Sequence, residues 1–230
     1  IDMSILEACV RDVLNSTAKR ALCVLEPLKV VIENYPESQV EEYNVSYNQN
    51  DPHAASRIVP FSREIFIERS DFMEDPPKKY FRLSIGAEVR LRHAYVIRCT
   101  DVIRNAQGEV IELHCTYDPD TLGKNPQDRK VKGVIHWVSA AHAYPVTIHQ
   151  YDRLFTDPNP AREDDFMQFL NHDSQHVQQA LCEPSLANQP LNDVFQFERL
   201  GYYCVNSVEQ NKVSAFHRIV DLKDTWGKVV

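Results

Sequence analysis

Sustained helical periodicity is confined to the first 17 residues of this chain. Beyond them the apolar residues fall in short runs, several of them alternating, separated by turn residues, which commits the chain to β structure. In the opening segment Ser4 and Glu7 form a capping box, and Ile5, Leu6, Cys9 and Val13 recur at helical spacing on one face. The helix is expected to end near Asn15-Ser16-Thr17, residues that favour caps and turns.

The strand-like runs then follow. Residues 21–32 are rich in Leu and Val but broken by Pro27, which restricts them to an edge, a bulge or two short pieces. Residues 34–57 are polar and patternless, a long surface loop or a loosely ordered hairpin. Ile65 and Ile67 alternate with polar neighbours; Val89 and Leu91 alternate with Arg90 and Arg92, so the arginines leave by the face opposite the apolar pair. Asn105-Ala106-Gln107-Gly108 reads as a hairpin turn. Further strands are expected at 130–139, 145–154 (Val146 and Ile148 inward), 195–205 and 213–222, with an acidic connector over 157–165 and a short helix at 166–170. The fold class is therefore mainly β, with barrels as the closure that removes open edges. Only six glycines are available to bend them.

Composition excludes several functions. The glycines lie far apart, so no phosphate-cradling loop of the P-loop or dinucleotide type exists. No apolar run approaches the roughly 20 residues that span a bilayer, and the N-terminus is not a signal peptide, so neither membrane nor export is expected. Six scattered cysteines without a C-x-x-C pair read as reduced thiols of a cytoplasmic protein. The chain does not begin with Met, which suggests a start inside a longer one. His172 and His176 have the spacing of helical metal ligands but suggest no third, and the reading is two solvated histidines and no metal. Ser139 between His136 and His142 admits a Ser–His hydrolase on paper, yet nothing nearby supplies an oxyanion hole or an orienting carboxylate, so no catalytic residue is assigned.

A net charge of −8 argues against nucleic acid at face value, since phosphate neutralisation needs Lys and Arg. Distribution modifies this. Lys78, Lys79, Arg82, Arg90 and Arg92 stand against Glu88 alone between 78 and 93. A charged strand edge explains such a run equally well. Lys79-Tyr80-Phe81-Arg82, Arg90-Leu91-Arg92-His93 and Phe195-Gln196-Phe197-Glu198-Arg199 combine planar donors, amides and aromatics, the means by which splayed RNA bases are stacked and read at their edges. A carbohydrate- or peptide-binding barrel would use similar aromatics.

The stretches VRDVLNSTAKRALCVLEPLKVVIENYP, SRIVPFSREIFIERSDF, RLSIGAEVRLRHAYVI, CTYDPDTL, KVKGVIHWVSAAHAYPV, YDRLF, FQFERLGYY and LKDTW, in order from about Leu6 to Trp226, resemble the C-terminal region of glutaminyl-tRNA synthetases. The resemblance implies two β-barrels with the distal one inserted in the proximal one: residues 1–20 a helical connector to a catalytic domain upstream, 21–69 and 156–230 the proximal barrel, and 70–155 the distal barrel. It implies a ligase that uses ATP and magnesium when complete, with no cofactor in this stretch. The partner is the anticodon loop of tRNA(Gln), not DNA. A glutamyl-type domain, or a stand-alone tRNA-binding barrel protein, is the alternative.

By resemblance, Arg20, Gln196 and Arg199 read the middle anticodon base, a uridine. Arg90 and Arg92 serve the first base and Arg82 the third. The lysine the family can place beside Arg82 is Phe81 here, and Lys79 stands where a glutamine can occur, so either Lys79 supplies the charge or Phe81 stacks on the base. Asn15 and Asn50 match asparagines near the anticodon loop. The implied mechanism is recognition of CUG or UUG by three outward-flipped bases.

Overall fold

A computed structural model describes residues 3–157, 159–162 and 164–223. Its elements are α1 (Met3–Thr17), β1 (Lys19–Ala21), β2 (Cys23–Val24), β3 (Pro27–Ile32), β4 (Glu41–Ser46), β5 (Ser56–Phe61), β6 (Glu64–Glu68), β7 (Glu88–Leu91), β8 (Val96–Arg104), β9 (Val110–Asp118), β10 (Val134–Ile135), β11 (Trp137–Ser139), β12 (Tyr144–Tyr151), β13 (Gln175–Cys182), β14 (Val194–Phe197), β15 (Gly201–Glu209) and β16 (Lys212–Asp221).

The strands form two nearly closed, barrel-shaped sheets and a hairpin. One sheet runs β10-β7-β8-β9-β3-β6-β11, the other β1-β14-β15-β16-β12-β13-β2, and β4 pairs with β5 alone. Each barrel closes by the same device. Its two edge strands are consecutive pieces of one stretch that changes partner at a single residue. Residues 19–24 pair with β14 before Leu22 and with β13 after it. Residues 134–139 pair with β7 before His136 and with β6 after it. An edge that ends by pairing with the far side of its own sheet leaves little unpaired backbone.

The first sheet, built from residues 27–139, is inserted between β2 and β12 of the second. Its strands come from both sides of the boundaries that the resemblance implies. β3 and β6, expected in a unit of 21–69 with 156–230, share a sheet with β7–β11; β12, expected within 70–155, joins β13–β16. The cause is the parallel pairing of β3 with β9, a contact over some 80 residues that no local pattern announces.

Two further differences have local causes. The run 130–139 is two short strands because His136 turns between them. β13 was unread because its first residues, Gln175 to Gln179, are polar apart from Val177 and mostly exposed. His176 lies on that strand and His172 in a turn, so their spacing is not that of a helix face. Residues 34–57 contain β4 and the start of β5, the hairpin alternative. The helix does form, but Ile5, Leu6 and Val13 are exposed, and Val10 and Leu14 instead pack against Ala18, Tyr202 and Val220 of the second barrel. Asp224, Thr225 and Trp226 of the LKDTW stretch, and Pro158 and Glu163 of the connector, lie outside the described residues.

The first barrel's core holds an edge-to-face aromatic group of Tyr35, Phe61, Tyr95 and Trp137, with ring centroids 5.0–5.6 Å apart along Tyr35–Phe61, Phe61–Tyr95 and Phe61–Trp137. Glu41 on β4 accepts from the hydroxyls of Tyr35, Tyr43 and Tyr95, which fastens the hairpin to this barrel. In the second barrel Phe197 stacks on Tyr203 at 4.3 Å, beside Phe216. No helix among the described residues is long and apolar enough to cross a membrane.

Candidate nucleic-acid interface

β1 pairs in parallel with β14, and this register sets Arg20 directly beside Gln196. Gln196 Nε2 donates to the Tyr202 hydroxyl at 2.9 Å, which fixes the amide and leaves its oxygen as an acceptor. Arg20 is half-buried, its backbone N–H bound to Tyr47 O. Just below, Asn48 Nδ2 donates to Ser16 O, joining the end of α1, where Asn15 is exposed, to the loop that exposes Asn50.

Arg199 follows in the turn between β14 and β15, closed by Leu200 N–H to Phe197 O. Its φ is +72°, a backbone that side chains other than glycine rarely adopt. Its guanidinium crosses to the other barrel. Nη1 and Nη2 reach the two oxygens of buried Asp71 at 2.5 and 2.7 Å, and Nη1 also lies 2.9 Å from His136 Nδ1. An arginine N–H only donates, so His136 Nδ1 accepts and the ring proton sits on Nε2, 3.3 Å from Glu68 Oε1. With those contacts made, the fork of Nε–H and the second Nη2–H remains for a partner.

Asp71 also receives Arg82, whose Nε is 3.4 Å away and whose Nη1 donates to Ser70 O. Arg82 is exposed. Lys79, at φ +71°, and Phe81 are exposed nearby. Neither outcome expected for Phe81 anticipated its neighbour: Lys132 Nζ lies 4.8 Å over the Phe81 ring. Gly133 makes this approach possible, because a Cβ there would sit 2.3 Å from Phe81 O.

Arg90 and Arg92 leave the first barrel on its outer face as their alternation with Val89 and Leu91 required. Gly133 O and Ile135 O accept their backbone N–H groups. Arg92 Nε forms an ion pair at 2.5 Å with Glu198 Oε2, and Glu198 Oε1 takes His93 Nε2 at 3.0 Å and faces Arg57 at 4.0 Å. Burial would raise the Glu198 pKa, but the His93 hydrogen bond and the charges of Arg92 and Arg57 outweigh it and hold the carboxyl below its ordinary value. Burial likewise opposes ionisation of Glu68, and the bond from His136 with the N–H groups of Leu25 and Glu26 more than offsets it.

Of the cationic residues expected from sequence, Arg199 and Arg82 meet at buried Asp71 and Arg92 is bound to buried Glu198. Sequence reasoning missed Asp71, Glu68, Glu183 and Lys132. The acids carry no periodic signal, and Lys132 sits in a run that reads simply as strand. The Ser139–His142 contact is real at 2.9 Å but oriented against catalysis. Ser62 Oγ donates to Glu64 O, so Ser139 must donate to Ser62 at 2.7 Å and accept from His142. A nucleophile needs the opposite polarity.

A two-barrel body with arginines and an amide near its seam has the donor types by which single-stranded RNA loops are read. Residues 18–118 match the family described as tRNA synthetases class I (E and Q), anti-codon binding domain, and residues 134–206 match a second family of the same description. The chain belongs to this family of anticodon-binding domains. It is 52% identical over 231 residues to the glutamine–tRNA ligase of Vibrio parahaemolyticus, 52% over 234 residues to that of Pseudoalteromonas atlantica, and 51% over 231 residues to that of Escherichia coli O157:H7. Each alignment takes in 100% of this chain and 42% of the relative, so the chain spans about two fifths of the length of the curated relatives it matches.

Proposed function

We propose that this chain reads the CUG or UUG anticodon of tRNA(Gln) for a cytoplasmic glutamine–tRNA ligase. The observation that carries the reading is the register pairing of Arg20 with Gln196, with Arg199 in the turn that follows the same strand. Uracil offers two carbonyl acceptors and one N3–H donor. Two arginines and the Gln196 oxygen complement that set, whereas cytosine reverses the polarity at N3 and at its exocyclic group. Arg90 and Arg92 stand by the first base, and Arg82 by the third with Lys132 adding the cation that Phe81 does not carry. Lys79, Asn15 and Asn50 lie on the rim and suit phosphate or sugar contacts.

ATP and magnesium belong to the ligation step, which this chain's residues do not carry. Among the described residues no group of three His, Cys, Asp or Glu side chains could hold a metal ion. The ligating part would lie upstream, and the uncovered Ile5, Leu6 and Val13 stripe of α1 supports the connector role of residues 1–20.

The test is equilibrium binding to RNA hairpins carrying the glutamine anticodon and a copy with the middle uridine replaced by cytidine. Arg20→Ala and Arg199→Ala should each weaken the first by roughly tenfold or more and leave the second nearly unchanged, as loss of a base-edge contact requires. Equal losses on both hairpins refute the assignment, and tighter binding to a glutamate-anticodon hairpin would reassign the chain to the glutamyl branch.

A further inference from the structure

Two arginines assigned to different bases hang on one carboxylate that no base contact explains. We propose that Asp71 is a positioning residue which couples the reading of the middle anticodon base to that of the third. The inference rests on the recognition role proposed above. Asp71 is 1% exposed and therefore does not touch RNA itself. It faces the end of Arg199 with both oxygens, and Oδ1 is shared with Arg82 Nε. The Arg199 contact spans the two barrels, while Arg82 lies on the same barrel as Asp71.

The surroundings hold the carboxylate in place. Leu83 N–H binds Asp71 O, Met73 N–H binds Leu83 O, and Phe72 bridges Leu83, so the backbone of Asp71 is laced to the segment bearing Arg82. On the other side Arg199 sits at a left-handed φ in a turn closed by Leu200 N–H to Phe197 O. Without Asp71 the Arg199 guanidinium keeps only His136 Nδ1 and that of Arg82 only Ser70 O, one contact each, so the fork that Arg199 offers loses its aim. Loss of either arginine also removes one of the donors that fix the carboxylate's rotation, so a change at one pocket reaches the other.

The test uses fluorescence anisotropy of three RNA hairpins: the CUG anticodon, its middle-base cytidine variant and its third-base adenosine variant. Asp71→Asn, which keeps the shape and loses the charge, should lower discrimination at both positions by roughly tenfold, the worth of one oriented bidentate contact. Unchanged selectivity at both positions, loss at one alone, or an equal loss of affinity for all hairpins overturns the proposal. If Asp71→Asn does not fold, Arg82→Ala decides. It should reduce middle-base as well as third-base discrimination, and an effect confined to the third base overturns the coupling. A wild-type protein that does not distinguish the three hairpins sinks the recognition role itself, a result separate from any of these.

Discussion

Leu22 and His136 hold the same place in the two barrels, each the residue at which a closing stretch changes partners, and each is gripped by a buried glutamate. Glu183 binds Leu22 through both backbone groups, its N–H to Leu22 O at 3.0 Å and its Oε2 from Leu22 N–H at 2.9 Å. Glu68 binds the His136 ring and also caps Leu25 and Glu26, where the chain passes from one barrel to the other. At Leu22 the change of partner leaves a backbone N–H outside both ladders and the Glu183 carboxylate satisfies it, whereas Glu68 satisfies the N–H groups of Leu25 and Glu26 and takes His136 through its ring.

Glu183 carries a second duty that sets its mutational cost. Its Oε1 is bonded to Arg57 Nε, and both side chains are 1% exposed. Glu183→Ala would take from the buried arginine its nearest carboxylate, leaving Glu198 at 4.0 Å, and would strand the Leu22 N–H. The expected loss is about 3–5 kcal/mol by urea unfolding. The double replacement Arg57→Met with Glu183→Leu should cost clearly less than that single change, because it removes the arginine charge as well and Glu198 keeps Arg92 and His93. A double variant at least as unstable as Glu183→Ala would show that the pair contributes net stability.

The acids at the seam give the protein a defined acid limit. Glu68 and Glu198 are both held below the ordinary 4.5 in the folded state. A depressed carboxyl binds fewer protons folded than unfolded, so its contribution is present above the unfolded value and is lost as pH falls through the folded one. Unfolding free energy should therefore fall from about pH 4.5 downward. Glu198→Gln, less stable at neutral pH, should show a flatter slope in that range. Parallel slopes for wild type and variant would remove Glu198 from this account.

What the sequence made legible is what local pattern carries. Val89 and Leu91 against Arg90 and Arg92, or the Asn105–Gly108 turn, need only their neighbours to be read. Apolar spacing misled at α1, where Ile5, Leu6 and Val13 describe a face that no described residue covers, while the stripe of Val10 and Leu14 does the packing. β4 was hard to read because only Tyr43 and Val45 carry its alternation among polar residues, and the start of β13 because both of its sides are largely exposed. The seam was hidden for a different reason. Asp71 meets Arg199 across 128 residues, and nothing in the neighbourhood of an isolated aspartate distinguishes a buried clamp from a surface charge.

Gly133 is the tightest backbone contact on the interface. Its missing Cβ would lie 2.3 Å from Phe81 O and 3.0 Å from a Val89 methyl. Carbonyl backbone cannot yield as a flexible side chain does, so Gly133→Ala should force the 80–82 segment outward. The expected destabilisation is about 1–3 kcal/mol, read as a lower melting temperature. Third-base discrimination should fall with it, since Arg82 rides on that segment. An alanine variant as stable as wild type would mean that the close approach is not maintained in solution.

Phe81 and Lys132 give the remaining prediction, because their contact replaces a charge with a platform. The ammonium 4.8 Å above the ring is an exposed cation–π pair, worth about 0.5–1 kcal/mol. If the ring's task is to aim Lys132 at the RNA, removing either partner removes the same contact. Lys132→Ala should weaken binding to the anticodon hairpin several-fold and lower the slope of log affinity against log salt by about one. Phe81→Ala should produce part of the same affinity loss with most of the slope retained, since the lysine stays but is no longer aimed. The double variant should then match Lys132→Ala alone. Additive losses in the double variant would instead mean that Phe81 touches a base directly, which is the stacking role its position in the sequence first suggested.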